Sequence, residues 1–141
     1  MQVVVTYESR TGNTARAADM IGALLTQAGV GVSVDSIADV DYGALARADL
    51  VIIGTWTGGL FLFGQHPGGA TKIASTLPDL WDKPTYAYVT YAHNAGPAAK
   101  KLGEVVEGMG AVNLGTAELH RDHLDTEVKR FVQGILSDVT S

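Results

Sequence analysis

The sequence predicts an α/β fold: a three-layer α/β/α sandwich in which helices cover both faces of a five-stranded parallel sheet. Two observations carry this. Five short apolar or β-branched runs alternate with stretches of helical periodicity, the pattern of βαβ units joined by right-handed crossovers. The balance of 46% hydrophobic and 18% charged residues, with 17 Gly and only 4 Pro, belongs to a packed domain. A disordered or collagen-like chain would be far more polar or far richer in Pro and Gly. No internal repeat, low-complexity tract or Pro- or Ser-rich linker interrupts the 141 residues, so one domain over 1–141 is expected. A chain of this length buries roughly 70% of its unfolded surface.

The elements follow in order. Residues 2–6 (QVVVT) are Val-rich, the look of a strand buried on both faces. Residues 13–28 place Ala17, Met20, Ile21, Leu24, Leu25 and Ala28 at three- and four-residue spacings, an amphipathic helix stopped by Gly29. Residues 30–37 alternate and read as a second strand with one wetter face, near an edge. A short helix follows at 42–48. Residues 50–54 (LVIIG) are the most apolar run and predict a central third strand. The segment 55–80 is Gly-rich at first, with a short helix at 71–76. Pro84 introduces a fourth strand at 85–90 (TYAYVT). A helix at 97–109 shows Ala98, Leu102, Val105, Val106 and Met109 on one face and stops at Gly110. A fifth strand at 111–118 and a last helix at 126–139, with Val128, Phe131, Val132, Ile135, Leu136 and Val139 inward, complete the chain.

Composition excludes several kinds of chemistry. With no Cys there are no disulfides, thiolate zinc sites, Cys-ligated iron–sulfur clusters or thiol nucleophiles. Redox work would therefore need a bound organic cofactor. Fifteen acidic against ten basic residues, net −5, argue against a nucleic-acid partner, which needs clustered Lys and Arg. No apolar run approaches 18 residues and no secretory leader pattern is present, so no membrane association is expected and cytoplasm is the default location.

Ligands of parallel sheets bind beyond the carboxyl ends of the strands, which directs attention to loops 7–14, 55–70 and 91–97. The first holds Ser9-Arg10-Thr11-Gly12-Asn13-Thr14, three hydroxyls and a Gly in the turn that opens a helix. The unpaired N–H groups of a first helical turn and the helix dipole favour an anion there. Hydroxyl donors and a Gly that permits close backbone approach suit a phosphate. Helix capping alone is the simpler alternative, but it needs only one such side chain. The triphosphatase loop G-x-x-x-x-G-K-[ST] is absent, as is G-x-G-x-x-G after the first strand. A receiver domain would carry Asp at the end of the third strand, where this chain has Ile53-Gly54-Thr55.

Ser9-x-Thr11-Gly12-x-Thr14 after a short N-terminal strand resembles the FMN-phosphate loop of the flavodoxin family. Residues 49–55 (DLVIIGT) followed by Trp56 resemble that family's third strand and flavin-contacting loop. The resemblance covers essentially the whole chain. It implies strand order 2-1-3-4-5, FMN at the switch between the first and third strands, and one-electron transfer between redox-partner proteins, a reductase and an acceptor. A monomer is expected. By the same resemblance Ser9, Arg10, Thr11, Gly12, Asn13 and Thr14 would hold the phosphate, and no side chain acts as a catalyst. Thr55, Trp56, Thr57, Gly58 and Gly59 would line one side of the flavin ring. Tyr91, His93, Asn94 and Gly96 would line the other.

An indole stacked on a flavin excludes water from a flat, largely apolar plate, the role expected of Trp56; a plain core Trp is the alternative. Gly58 and Gly59 permit the peptide rotation by which flavodoxins hydrogen-bond the half-reduced ring, although Thr57 stands where the family commonly has Gly. The 91–96 loop is short for the family, leaving Tyr91 and His93 as the stacking candidates. A solvent-exposed loop His is the alternative for His93.

No Asp or Glu occurs from 54 to 77 or from 84 to 103, so both ring-contacting loops lack carboxylates. A unit charge at ~10 Å still contributes a few tenths of a kcal/mol or more at dielectrics of 20–80. In flavodoxins an acidic, apolar surround disfavours the anionic hydroquinone and lowers the second one-electron midpoint; that penalty should be smaller here, measured against free FMN in the same buffer. A midpoint far below the free cofactor would refute this.

Residues 60–67 (LFLFGQHP) place four large apolar side chains in a loop beside the expected flavin, either as a partner surface or turned inward as cover. His120-Arg121-Asp122-His123 has a metal-ligand flavour but no distant third ligand, and a solvated loop accounts for it better. Three functions remain: an electron carrier, a nicotinamide-dependent quinone or flavin reductase of the same fold, and a domain that kept the fold without the flavin. The phosphate loop and Trp56 argue against the last, and no inserted nicotinamide pocket supports the second.

Overall fold

A computed structural model describes residues 1–59 and 64–140. The strands are β1 (Gln2–Tyr7), β2 (Gly31–Ser36), β3 (Leu50–Gly58), β4 (His66–Pro67), β5 (Pro84–Tyr91) and β6 (Val112–His120). The helices are α1 (Asn13–Gln27), α2 (Tyr42–Arg47), α3 (Ala70–Thr76), α4 (Ala98–Gly108) and α5 (Leu124–Thr140), with a 3₁₀ turn at Arg121–His123. Five strands run in the order β2-β1-β3-β5-β6, every neighbouring pair parallel. This is the expected five-strand order. The two-residue β4, which the sequence pattern did not announce, pairs antiparallel with the end of β3.

The period-2 alternation of buried strands divides the core between the two faces of the sheet. Val3, Val5, Leu50, Ile52, Tyr86 and Tyr88 pack with Ile21 and Leu25 of α1 and Val128, Val132 and Ile135 of α5. Val4, Val51, Ile53, Ala87 and Val89 pack with Leu45 of α2, Ile73 of α3 and Leu102 and Val106 of α4. Edge strand β2 is half-buried along its whole length, as its wetter face predicted.

The largest departure from the sequence expectation is β3, which continues through Thr55-Trp56-Thr57-Gly58 instead of ending at Gly54. Thr55 and Trp56 pair with Val89 and Thr90 of β5, and Thr57 and Gly58 pair with Pro67 and His66 of β4. The expected flavin loop is thus a rigid strand end. The apolar segment at 60–63 lies outside the described residues; its neighbours His66 and Pro67 form β4.

Candidate functional site

The chain leaves β1, returns from the outer strand β2 and re-enters the sheet at β3 on the other side of β1, so connections diverge at the β1/β3 boundary. A crevice forms at such a switch point. Helix α1 begins beside it. Gly12 is its N-cap, in the left-handed region at φ 100°, and has no side chain with which to cap the helix. The first turn carries no acidic residue, so its free N–H groups and dipole remain available to an anion. The Gly12 carbonyl accepts from Arg16 N–H at 2.9 Å, which starts the helix. Thr11 and Asn13 are joined by a long 3.4 Å contact, and Ser9 Oγ accepts from Ala15 N–H at the same distance.

Thr14 lies apart from this surface. It is 1% exposed, and its hydroxyl shares a 2.9 Å hydrogen bond with Thr90 Oγ1 of β5. The Thr14 carbonyl accepts from the fully buried Tyr88 hydroxyl at 2.9 Å. Tyr88 passes over Gly54 of β3, its partner in register, where a Cβ would lie 2.0 Å from the ring. Burial pushes the Tyr88 hydroxyl well above its ordinary pKa of 10, which keeps it a donor. The start of α1 is therefore tied to β5 by two buried hydrogen bonds.

Two adjoining hollows form the crevice. The first, about 160 Å³, is lined by Arg10, Thr11, Asn13, Trp56, Thr57, Thr90, Tyr91, Ala92 and Arg121. The second, about 90 Å³, is lined by Thr57, Gly58, Gly59, Gln65, Ala92, His93 and Asn94, and shares Thr57 and Ala92 with the first. The structure therefore gathers Arg10, Thr11, Asn13, Trp56, Thr57, Gly58, Gly59, Tyr91, His93 and Asn94 around these two neighbouring hollows. Ser9, Gly12, Thr14, Thr55 and Gly96 do not line it. Thr55 Oγ1 instead accepts from Gly69 N–H at 3.0 Å, and Gly96 donates its N–H to Asn94 Oδ1 at 2.9 Å.

Trp56 is half-buried and lies over Gly68, where a Cβ would fall 2.1 Å from the indole nitrogen; Gly68 N–H also donates to the Trp56 carbonyl at 2.8 Å. Tyr91 is half-buried and meets the His120 ring edge-on at 5.0 Å between centroids. Burial, then the charges of Glu127 and Glu118, raise the Tyr91 hydroxyl above its ordinary pKa. Among the described residues no carboxylate lines either hollow, as the acid-free loops predicted, whereas two guanidiniums line the first.

The donor set fits a phosphorylated flavin. An acid-free helix start faces one end, Trp56 and Tyr91 wall the middle, and glycines line the far end. Thr57 Oγ1, at the seam of the two hollows, is buried without a hydrogen-bond partner among the described residues. A buried hydroxyl left unpaired is costly, and a ligand edge in the cleft would satisfy it.

Sequence reasoning missed Thr90, Ala92, Gln65 and Arg121. The turn carrying Arg121 reads as a solvated loop, yet β6 runs on to His120 and delivers Arg121 to the cleft wall. The one available signal was the basic residue directly after a strand's carboxyl end. Among the described residues no group of three or more His, Cys, Asp or Glu is placed to hold a metal ion. None of their helices is long and apolar enough to cross a membrane.

A doubly wound parallel sheet with an acid-free helix start and an aromatic-walled cleft at its switch point is an arrangement suited to a phosphate-bearing ligand. The family model described as flavodoxin domain matches residues 4–60, less than half of the chain, from within β1 through the phosphate-type loop and past the end of β3. Solved flavodoxins share the fold over the whole chain. The two-electron reduced flavodoxin of Megasphaera elsdenii superposes with a TM-score of 0.70 at 24% identity, covering 92% of this chain and 95% of that one. A flavodoxin from the domain Archaea gives 0.70 at 23%, and a mutant form of the Pseudomonas aeruginosa flavodoxin gives 0.75 at 17%; each covers 100% of both chains. No curated protein matches the sequence. The matched segment and the solved structures together show that the chain has a flavodoxin-like fold.

Proposed function

We propose that this protein carries single electrons between a reductase and an acceptor protein, as a cytoplasmic monomer. The observation that supports this most is the one cleft in which the acid-free start of α1, the rings of Trp56 and Tyr91, and the Thr57 hydroxyl, unpartnered among the described residues, meet. Bound there, FMN supplies reversible one-electron chemistry that no side chain of this Cys-free chain offers. The remaining work belongs to the protein's own residues. Arg10, Thr11, Asn13 and the first-turn N–H groups hold the phosphate. Trp56 and Tyr91 wall the ring and exclude water, while Gly58, Gly59, His93 and Asn94 border its outer edge. Ser9, Gly12, Thr14, Thr55 and Gly96 shape the loops that carry these contacts. No group in the cleft is needed as acid or base, which suits a carrier better than a turnover enzyme.

The purified protein should be yellow, take up electrons in two separated steps and show negligible oxidation of NADH or NADPH with quinones. Rapid pyridine-nucleotide turnover would favour the reductase reading instead. Thr11→Ala removes an exposed hydroxyl from the phosphate end and should weaken FMN about tenfold, the size of one hydrogen bond to a charged group. Riboflavin affinity should not change. Equal loss for both ligands, measured by flavin fluorescence titration, would place the phosphate elsewhere.

A further inference from the structure

Arg121 carries a feature that no phosphate loop requires. It comes from the turn after β6, while Arg10 comes from the loop after β1, and β3 and β5 separate those two strands in the sheet. Both arginines nevertheless line the hollow that Thr11 and Asn13 also line. Among the described residues no ion pair engages either guanidinium; the Lys–carboxylate pair of Lys72 with Glu8 involves neither. No described Asp or Glu lines the hollow either. Two arginines outside any ion pair among the described residues and a helix start whose first turn carries no acid thus meet at one small space.

The turn that delivers Arg121 is held from several sides. His120 N–H donates to Glu127 at 2.6 Å, and Asp122 N–H donates to His120 Nδ1 at 3.1 Å. The His120 ring packs against Tyr91, and Leu124 just beyond is 2% exposed. The backbone of Arg121 is therefore placed before any ligand arrives, which lowers the ordering cost of a contact. A guanidinium fork matches the oxygens of a phosphate monoester and remains charged at every working pH.

Resting on the phosphate reading above, we infer that Arg121 is a phosphate-binding residue of this site, closing the anion pocket from the β6 side opposite Arg10. A helix start with hydroxyls can hold a phosphate without any cation. This chain adds one from a distant strand, which makes retention of the phosphorylated flavin salt-dependent and sharpens discrimination against riboflavin.

The test is titration of the flavin-free full chain with FMN and with riboflavin, at low and high salt, for wild type, Arg121→Gln and Arg121→Lys. Arg121→Gln should lower FMN affinity about tenfold, the scale of one charge-assisted contact discounted for exposure. Riboflavin affinity should stay unchanged, which also reports that the variant folds. Salt should narrow the wild-type FMN-to-riboflavin ratio more than that of Arg121→Gln, because the added term is screened. Arg121→Lys should fall between the two. Inorganic phosphate should compete with FMN more weakly in Arg121→Gln than in wild type. A wild-type preference for FMN that survives Arg121→Gln intact overturns this inference alone. So does an equal loss for both flavins. A wild type that binds FMN and riboflavin alike overturns the phosphate reading, and this inference with it.

Discussion

Gly54→Ala should be destabilised by about 3 kcal/mol or more, a drop of roughly 10 °C in midpoint temperature. The added methyl would lie 2.0 Å from Tyr88 Cζ, a ring at 0% exposure in the centre of the sheet with no free volume to receive it. The loss should not be confined to stability. Tyr88 holds the Thr14 carbonyl, and the neighbouring Thr90 holds the Thr14 hydroxyl. A displaced ring therefore shifts the start of α1, and FMN affinity should fall together with the unfolding free energy. Urea unfolding and flavin titration measure the two effects. The cause is tested by Tyr88→Leu in the Gly54→Ala background, which removes the clashing ring. If the clash is responsible, the double variant should cost less than the sum of the single changes. A Gly54→Ala protein within about 1 kcal/mol of wild type would contradict this packing.

Thr57→Val should act with opposite sign on the two states of the protein. Without ligand, Thr57 Oγ1 is buried and has no partner among the described residues. Replacing an unsatisfied buried hydroxyl by a side chain of the same shape should stabilise the flavin-free protein by about 1 kcal/mol. With FMN bound, the same change deletes the group that meets the ring at the seam of the two hollows, and affinity should fall about tenfold. Chemical denaturation of the flavin-free chain and fluorescence titration provide the two readouts. Thr57→Ser, which keeps the hydroxyl, should leave affinity near that of wild type. A Thr57→Val protein that is less stable without flavin, or that binds FMN as tightly as wild type, would show that the hydroxyl does not face the ligand. A purely structural role would move both quantities in one direction.

Much of the frame was legible because it is encoded locally. Runs such as 3–5 and 50–53 are apolar at every position, as befits strands buried on both faces of a sheet. The three- and four-residue spacing from Ala17 to Leu25 specifies the buried face of α1 without reference to the rest of the chain. Gly12, set among hydroxyl-bearing residues directly after the first strand, marks an anion-suited helix start for similarly local reasons. Thr55-Trp56-Thr57-Gly58 reads as loop because it is polar and Gly-rich. Its strand character comes from β5 and from β4, whose two residues have no periodicity to detect.

The wall of the cleft is a different kind of property. Thr11 and Thr14 look alike in the sequence, yet Thr11 lies exposed in the turn before the helix, while the first turn of α1 carries Thr14 inward onto Thr90. Arg121 reads as part of a wet turn until β6 is seen to run to His120 and end beside Tyr91. The sequence alone thus determined the alternation of strands and helices, the absence of thiol chemistry and the anion-ready turn, since each is written in residue types or within a few consecutive positions. Which hydroxyl is spent internally, which is left at the surface and which arginines line the cleft were decided only in the folded chain. Those outcomes depend on strand register and packing between residues far apart in sequence, and no local pattern records them.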